Sequence, residues 1–211
     1  MNILWRSHQG ASRRSNNDYV AFSLTKTHFC AVIVDSSDRG STPAGLAKYW
    51  AEAVLTRYIR LERETAVALL KDLHRTLIPA YLSECASYAL MDMDLARRSG
   101  ELFYVGDCRL GVSDHRGVVW VNEPHCVANT LPGLDNSFAH CLTRVLKARR
   151  FIPPDRISFR WQAGDTLLLC SDGYWRSSEH DDSSVLILRP DAPSFTFTTG
   201  SDCRNVYARV Q

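Results

Sequence analysis

Five aspartates of this 211-residue chain sit where apolar, strand-like runs stop or start. The run Thr166–Cys170 ends in Ser171-Asp172-Gly173. Residues 28–34 end at Asp35, and residues 101–105 end at Gly106-Asp107. Asp18 opens the run 18–24 after Arg13-Arg14-Ser15-Asn16-Asn17, and Asp202 precedes the last run in Gly200-Ser201-Asp202. Any one of them alone reads more readily as a turn residue, because an Asp side chain bonds the nearby backbone. Together they suggest different chemistry. Strands of one sandwich can converge their ends on a shared rim, where crowded carboxylates repel and resist ionising together. A divalent cation removes that conflict, and hard cations such as magnesium or manganese take oxygen ligands. No paired His or Cys stands at zinc-ligand spacing.

Bringing these acids to one rim requires particular elements. Residues 2–5 and 18–24 read as strands, and residues 28–34 as a central strand, apolar on both faces. Ser41 or Thr42 before Pro43 marks a helix start. Leu46, Tyr49, Trp50, Ala53 and Val54 then carry an amphipathic helix to about residue 62. Leu70, Leu73 and Leu77 line a second helix, which Pro79 should end or kink. From Cys85 the period becomes two, with Met91 and Met93 facing one way and Asp92 and Asp94 the other. Further strands are expected at 101–105, 110–113, 118–121, 157–161, 166–170, 185–188, 194–198 and 205–210, with a short helix at 137–147. The order is strands, two helices, then mostly antiparallel strands. It implies an α+β fold of two antiparallel sheets packed face to face, with the helix pair on one outer face.

The bulk numbers bound the partners. A chain that is 45% hydrophobic buries a core, and its length suits one domain over 1–211. Lys and Arg number 25 against 23 Asp and Glu, with no basic run to suit nucleic acid. No stretch reaches the roughly 18 apolar residues of a membrane helix. The start, MNILWRSHQG, has no apolar leader core. Seven scattered cysteines, an odd count with no Cys-x-x-Cys, fit a reduced, cytoplasmic protein.

In order along the chain, six segments resemble the PPM family of metal-dependent serine/threonine phosphatases, the protein phosphatase 2C type, in a short, bacterial-like form. Residues 7–20 (SHQGASRRSNNDYV) resemble the family opening G-x-x-R-x-x-N-E-D. Residues 31–40 (AVIVDSSDRG) stand where an apolar strand runs into D-G-x-G-G. YVGDCRL at 104–110 resembles V-G-D-S-R, and LTRVL at 142–146 resembles L-T-R-x-L. DTLLLCSDGYW at 165–175 is close to D-x-L-L-L-C-S-D-G-L-W and is the most specific piece. SDCRNVYARV at 201–210 resembles the closing S-x-D-N-x-T-x-x-x-V.

The resemblance implies a four-layer α-β-β-α sandwich, here with its C-terminal helical layer reduced. It implies hydrolysis of phosphoserine and phosphothreonine by a hydroxide bridging two manganese or magnesium ions. By position, Asp35 bridges both ions and the Ser36 carbonyl holds the first. Asp172 and Asp202 hold the second, Asp107 serves a third and weaker ion, and Asp18 acts through waters. Arg13 grips the phosphate, its register with Asn16 and Asp18 favouring it over Arg14. The implied partner is a phosphorylated protein, a serine/threonine kinase or its target.

Several positions depart from the pattern. Asn17 stands for the family Glu, where an amide can hold a water but brings no charge. Ser36 stands for the first Gly of the loop, and Ser37 for a His that some members carry. Asp38 either restores the charge missing at Asn17 or belongs with Arg39 to a surface turn. The segments 121–137 and 177–200 are short where the family has covering elements. His125 reads as a structural hydrogen-bonding residue, and His8, His74 and His180 as surface. Residues 179–182, Glu-His-Asp-Asp, read as a solvated loop. The second reading is a degenerate relative that binds phosphoproteins or regulates without turnover. The retained carboxylates oppose it, since they cost stability without a cation.

Overall fold

The structure is a computed structural model that describes residues 1–37, 39, 42, 44–60, 65–130, 141–200 and 203–210. Its elements are β1 (Asn2–His8), β2 (Asp18–Leu24), β3 (His28–Ser36), α1 (Gly45–Tyr58), α2 (Ala66–His74), β4 (Cys85–Asp94), β5 (Ser99–Val105), β6 (Arg109–Asp114) and β7 (Gly117–Trp120). There follow a short α3 (Val127–Thr130), β8 (Leu146–Lys147), β9 (Asp155–Arg160), β10 (Thr166–Cys170), a short α4 (Asp172–Trp175), β11 (Ser183–Arg189), β12 (Thr196–Thr199) and β13 (Val206–Val210).

The strands form two sheets, in orders β12-β1-β11-β10-β6-β7 and β13-β2-β3-β4-β5-β9, with β8 pairing β4. Both are antiparallel except at one edge. There β12 runs parallel to β1, and β13 parallel to β2. The sheets are therefore mixed, a refinement of the all-antiparallel expectation. Hydrophobic alternation alone reports which face a strand buries, not which way its neighbour runs.

The central strands of the second sheet, β2, β3 and β4, are buried on both faces. Val20, Phe22, Phe29, Ala31, Ile33, Ala89, Met91 and Leu102 pack inward against Ile3, Trp5, Leu167, Leu169, Leu186 and Leu188 of the first sheet. The alternate set, including Ala21, Val32, Val34 and Leu90, meets Leu46, Trp50, Val54 and Leu70 of the helix layer. This is why residues 28–34 are apolar without alternation. Trp50 is wholly buried and meets Tyr88 edge-on, ring centroids 5.5 Å apart. Truncating an aromatic so placed costs about 3–5 kcal/mol.

Helix α1 starts at Gly45, later than the Ser41–Pro43 signal, and its described part closes at Tyr58. The Thr65 hydroxyl accepts the Ala68 N–H at 3.2 Å and caps α2. The short helix expected at 137–147 is absent where residues are described. Leu142 instead bridges Cys126, and Leu146–Lys147 pairs with Cys85–Ala86. His74, expected at the surface, is buried, with its Nε2 2.7 Å from the Lys147 carbonyl. Among the described residues, the outer face of the first sheet carries only α4, whose Tyr174 and Trp175 rest on Leu168, Cys170 and Val185. The reduced helical layer expected there is thus borne out.

A candidate metal and phosphate cleft

Strand pairing sets three of the key positions in one row. Asp18 lies directly opposite Asp35, and Asp35 opposite Ser87. Directly opposed residues share a face, and the parity of Val20, Ile33 and Ala89 turns this row toward the other sheet. Like charges directly opposed destabilise a sheet, so the row demands compensation.

Asp107 reaches the same place through the turn after β5. The Ser87 hydroxyl donates to Asp107 Oδ1 at 2.7 Å and accepts the Asp107 N–H at 3.3 Å. Gly106, at φ 98°, allows this, because a Cβ there would meet Ser87 Oγ at 2.1 Å. Its N–H donates to His125 Nδ1 at 3.0 Å, which leaves the His125 Nε2 proton for Asp155 Oδ2 at 3.1 Å. His125 also stacks on Tyr104, with rings 4.7 Å apart. Its role is to brace the Gly106-Asp107 turn, as its sequence position suggested. Arg144 of the LTRVL segment completes the brace by donating to Asp155 Oδ1 at 2.6 Å.

The first sheet supplies the rest. In Ser171-Asp172-Gly173, the Ser171 hydroxyl donates to Asp18 Oδ2 at 2.8 Å and so crosses between the sheets. Asp172 stands near enough to Asp35 for its charge to raise the Asp35 pKa. A cation between the two would relieve that repulsion. Gly173 lets the Asp182 carbonyl pass 2.1 Å from where a Cβ would lie. Asp35, Asp107 and Asp172 thus line one cleft of about 300 Å³, together with Arg13, Ser36 and Asp181.

The electrostatics are those of crowded, desolvated carboxyls. Burial pushes Asp18 up to about 7, with the Asp182 and Asp172 charges adding to it. Burial likewise pushes Asp172 up to about 7, with help from Asp107 and Asp181. Asp35 is driven well up by burial and then by Asp18, Asp172 and Asp107. Asp107 is raised by burial, against the opposing pull of Ser87 and Arg176. Among the described residues, nothing donates to Asp18 Oδ1, a wholly buried atom. An orphaned carboxylate oxygen beside opposed acids is a donor set suited to a hard cation. Among the described residues, no three His, Cys, Asp or Glu side chains are already arranged as a group that could hold a metal ion. Asp202, the fifth expected carboxylate, lies outside the described residues, as does Asp38.

Arg13 is carried by a loop zipped onto residues 179–182. Ala11 N–H donates to the Glu179 carbonyl at 2.9 Å, and Ser12 N–H to the His180 carbonyl at 3.3 Å. Asp182 is buried and accepts from Gly10 N–H at 2.9 Å and Asn17 N–H at 2.8 Å. Asp181 accepts from Arg13 Nε at 2.7 Å. Burial alone would lower the Arg13 pKa, but the Asp181 hydrogen bond and charge, with Asp35 and Asp182, outweigh it and raise it. Asp181 and Asp182 are therefore not the solvated loop expected from sequence. Their partners lie about 170 residues away, and no local pattern announces them. Glu179 and His180 are exposed as expected.

Asn17 has partners of its own. Its Oδ1 accepts from Ala44 N–H at 2.9 Å, and its Nδ2 donates to the Ser15 carbonyl at 3.0 Å. The amide is thereby tied to the entry of α1. Ser36 is a regular strand residue opposite Ala86, so Ser in place of Gly forces no positive φ there. Ser37 extends that pairing, its N–H donating to the Cys85 carbonyl at 2.8 Å and its Oγ accepting from Cys85 N–H at 3.2 Å. Arg39 is exposed. All seven cysteines are free.

No protein-family model and no curated protein matches the chain. Solved structures do. Stp1, the serine/threonine phosphatase of Staphylococcus aureus, superposes at TM-score 0.73 and 16% identity, covering 88% of this chain and 93% of its own. The PPM Ser-Thr phosphatase MsPP of Mycobacterium smegmatis, solved with cacodylate, gives 0.71 and 15%, covering 88% and 96%. The catalytic domain of the serine/threonine phosphatase PstP, solved with two manganese ions, gives 0.65 and 16%, covering 88% and 96%.

Proposed function

We propose that this chain, which has the fold of the bacterial PPM-type serine/threonine phosphatases, is a metal-dependent phosphoprotein phosphatase acting on phosphoserine and phosphothreonine. The observation that carries the reading is the convergence of Asp35, Asp107 and Asp172 with Arg13 on one cleft, beside the buried Asp18. Four acids from both sheets, three of them buried and all raised in pKa, mark a site where stability has been given up for function.

Asp35, Asp172 and Asp202, with the Ser36 carbonyl, are the groups that would hold two magnesium or manganese ions, with Asp107 for a weaker third. Asp18 stands behind them. Bound there, such ions make water acidic near neutral pH and neutralise charge building on phosphoryl oxygens. The chain's own residues do the rest. Arg13 offers a planar fork matched to two phosphate oxygens, which Lys would not replace. Ser87 and Ser171 fix the orientations of Asp107 and Asp18. His125 holds the Gly106-Asp107 turn and stays neutral, since burial lowers its pKa despite Asp155.

The test is hydrolysis of p-nitrophenyl phosphate and of a phosphothreonine peptide with manganese, with and without chelator. Asp172→Asn should lower the manganese-dependent rate by more than about a hundredfold, since even residues that only orient metal ligands are worth 10–100-fold. Equal rates with chelator would sink the reading. Peptide binding without turnover would select the alternative reading, a phosphoprotein-binding module.

A further inference from the structure

Resting on the phosphatase reading, we propose that Asp181 is a latch on Arg13. A phosphate monoester dianion must displace it, so Asp181 sets how tightly the cleft holds substrate and product. One oxygen, Asp181 Oδ1, receives both Arg13 Nε at 2.7 Å and Arg13 Nη2 at 2.5 Å. That edge of the guanidinium is one of the edges that can fork onto two phosphate oxygens. Both residues line the cleft with Asp35 and Asp172, so the contact stands where the phosphate would arrive.

The backbone under the latch cannot retreat. Asp181 Oδ1 also accepts the Asp182 N–H at 2.8 Å, and Asp182 pins Gly10 and Asn17. A Cβ at Gly10 would lie 2.4 Å from the Asp181 carbonyl carbon, so the two segments are in close contact. Only rotation of the Asp181 or Arg13 side chain frees the edge. Both are accessible to an incoming anion, with side-chain exposures of 28% and 33%. Arg13 lines the cleft, whereas the neighbouring Arg14 is exposed and is not among its lining, which favours Arg13 as the phosphate fork.

A latch and a mere brace predict opposite signs. If Asp181 is displaced, Asp181→Asn removes the competitor and one negative charge from the cleft. The KM for p-nitrophenyl phosphate then falls about fivefold, the upper range for a partly exposed ion pair. The dissociation constant of inorganic phosphate, read by calorimetry with magnesium, falls alike, while kcat does not rise with it. Asp181→Ala, which also drops the Asp182 N–H contact, shifts both in the same direction. In an Arg13→Ala background the gain shrinks below about twofold, which separates release of Arg13 from a general charge effect. If Asp181 only braces Arg13, phosphate affinity is equal or weaker in both variants, and the latch is overturned. A gain of the same size without Arg13 also overturns it. Calorimetry needs no turnover, so absence of hydrolysis would sink the phosphatase reading and still leave the phosphate affinities to decide the latch.

Discussion

Two serines hold two of the cleft's acids, and each does so across a long sequence gap. Ser171 Oγ donates to Asp18 Oδ2 at 2.8 Å and accepts the Ser184 N–H at 3.1 Å. Removing it leaves a buried carboxylate oxygen and a buried N–H without that partner, at about 1–3 kcal/mol for each unsatisfied group. Ser171→Ala should therefore lower the urea midpoint clearly while leaving the unfolding slope unchanged. A midpoint within error of the parent would remove Ser171 from this account. The acids themselves were legible in the sequence because each follows or opens an apolar run, and that is a local signal. Asp181 and Asp182 were not, because their meaning depends on Gly10, Arg13 and Asn17, which only the fold brings near. The contact of Asn17 with Ala44 N–H is hidden from the sequence for the same reason, since it joins positions 27 residues apart.

The loop that carries Arg13 behaves as part of β11 rather than as a free connection. Asp182, one residue before β11, accepts both Gly10 N–H and Asn17 N–H and closes the loop at its two ends. Asp182→Ala should cost about 2–3 kcal/mol, by the scale for buried donors left unpaired. On the phosphatase reading it should also raise KM more than it lowers kcat, because the loop would position the proposed phosphate fork, Arg13, and not the attacking water. Thermal melts and steady-state kinetics on the same samples check both parts. Most of the elements were legible. Unbroken apolarity over 28–34 reported a strand covered on both faces, and spacing from Leu46 reported the helix that covers it. The parallel edges were not, because β12 and β13 return to β1 and β2 only through distant register. A short helix is expected at 137–147, yet in its described part β4 offers a free stretch at Cys85–Ala86 and the pairing with Leu146–Lys147 wins.

At the scale of the whole molecule, the clustered acids tie stability to pH. An unfolded Asp ionises near 3.9, whereas folded Asp18 and Asp172 are pushed up to about 7. Between those values the folded chain keeps protons that the unfolded chain has lost. Their contribution is present below pH ~4 and is lost as pH rises through ~7, at up to about 1.4 kcal/mol per pH unit for each group. In chelator the melting temperature should fall from pH 5 to pH 8. Manganese should raise it most at pH 8, where the acids are ionised. A chelated protein that melts higher at pH 8 than at pH 5 contradicts this electrostatic picture.

The seam between the sheets is polar at the rim and greasy everywhere below. Ser7 bonds Ser184 at 2.6 Å within one sheet, while Asn205 reaches from the other sheet's side to the Ser7 hydroxyl at 2.7 Å and the Asp18 carbonyl at 2.9 Å. Apolar contact resists separation but is non-directional, so it leaves the two plates able to slide. Asp18 and Asp35 belong to one plate and Asp172 to the other. An ion held by Asp35 and Asp172 would work as a bolt through a laminate, fixing lateral alignment that grease alone does not. Whatever lets the plates creep, even deep in the interior, would then become a change in ion grip at the rim.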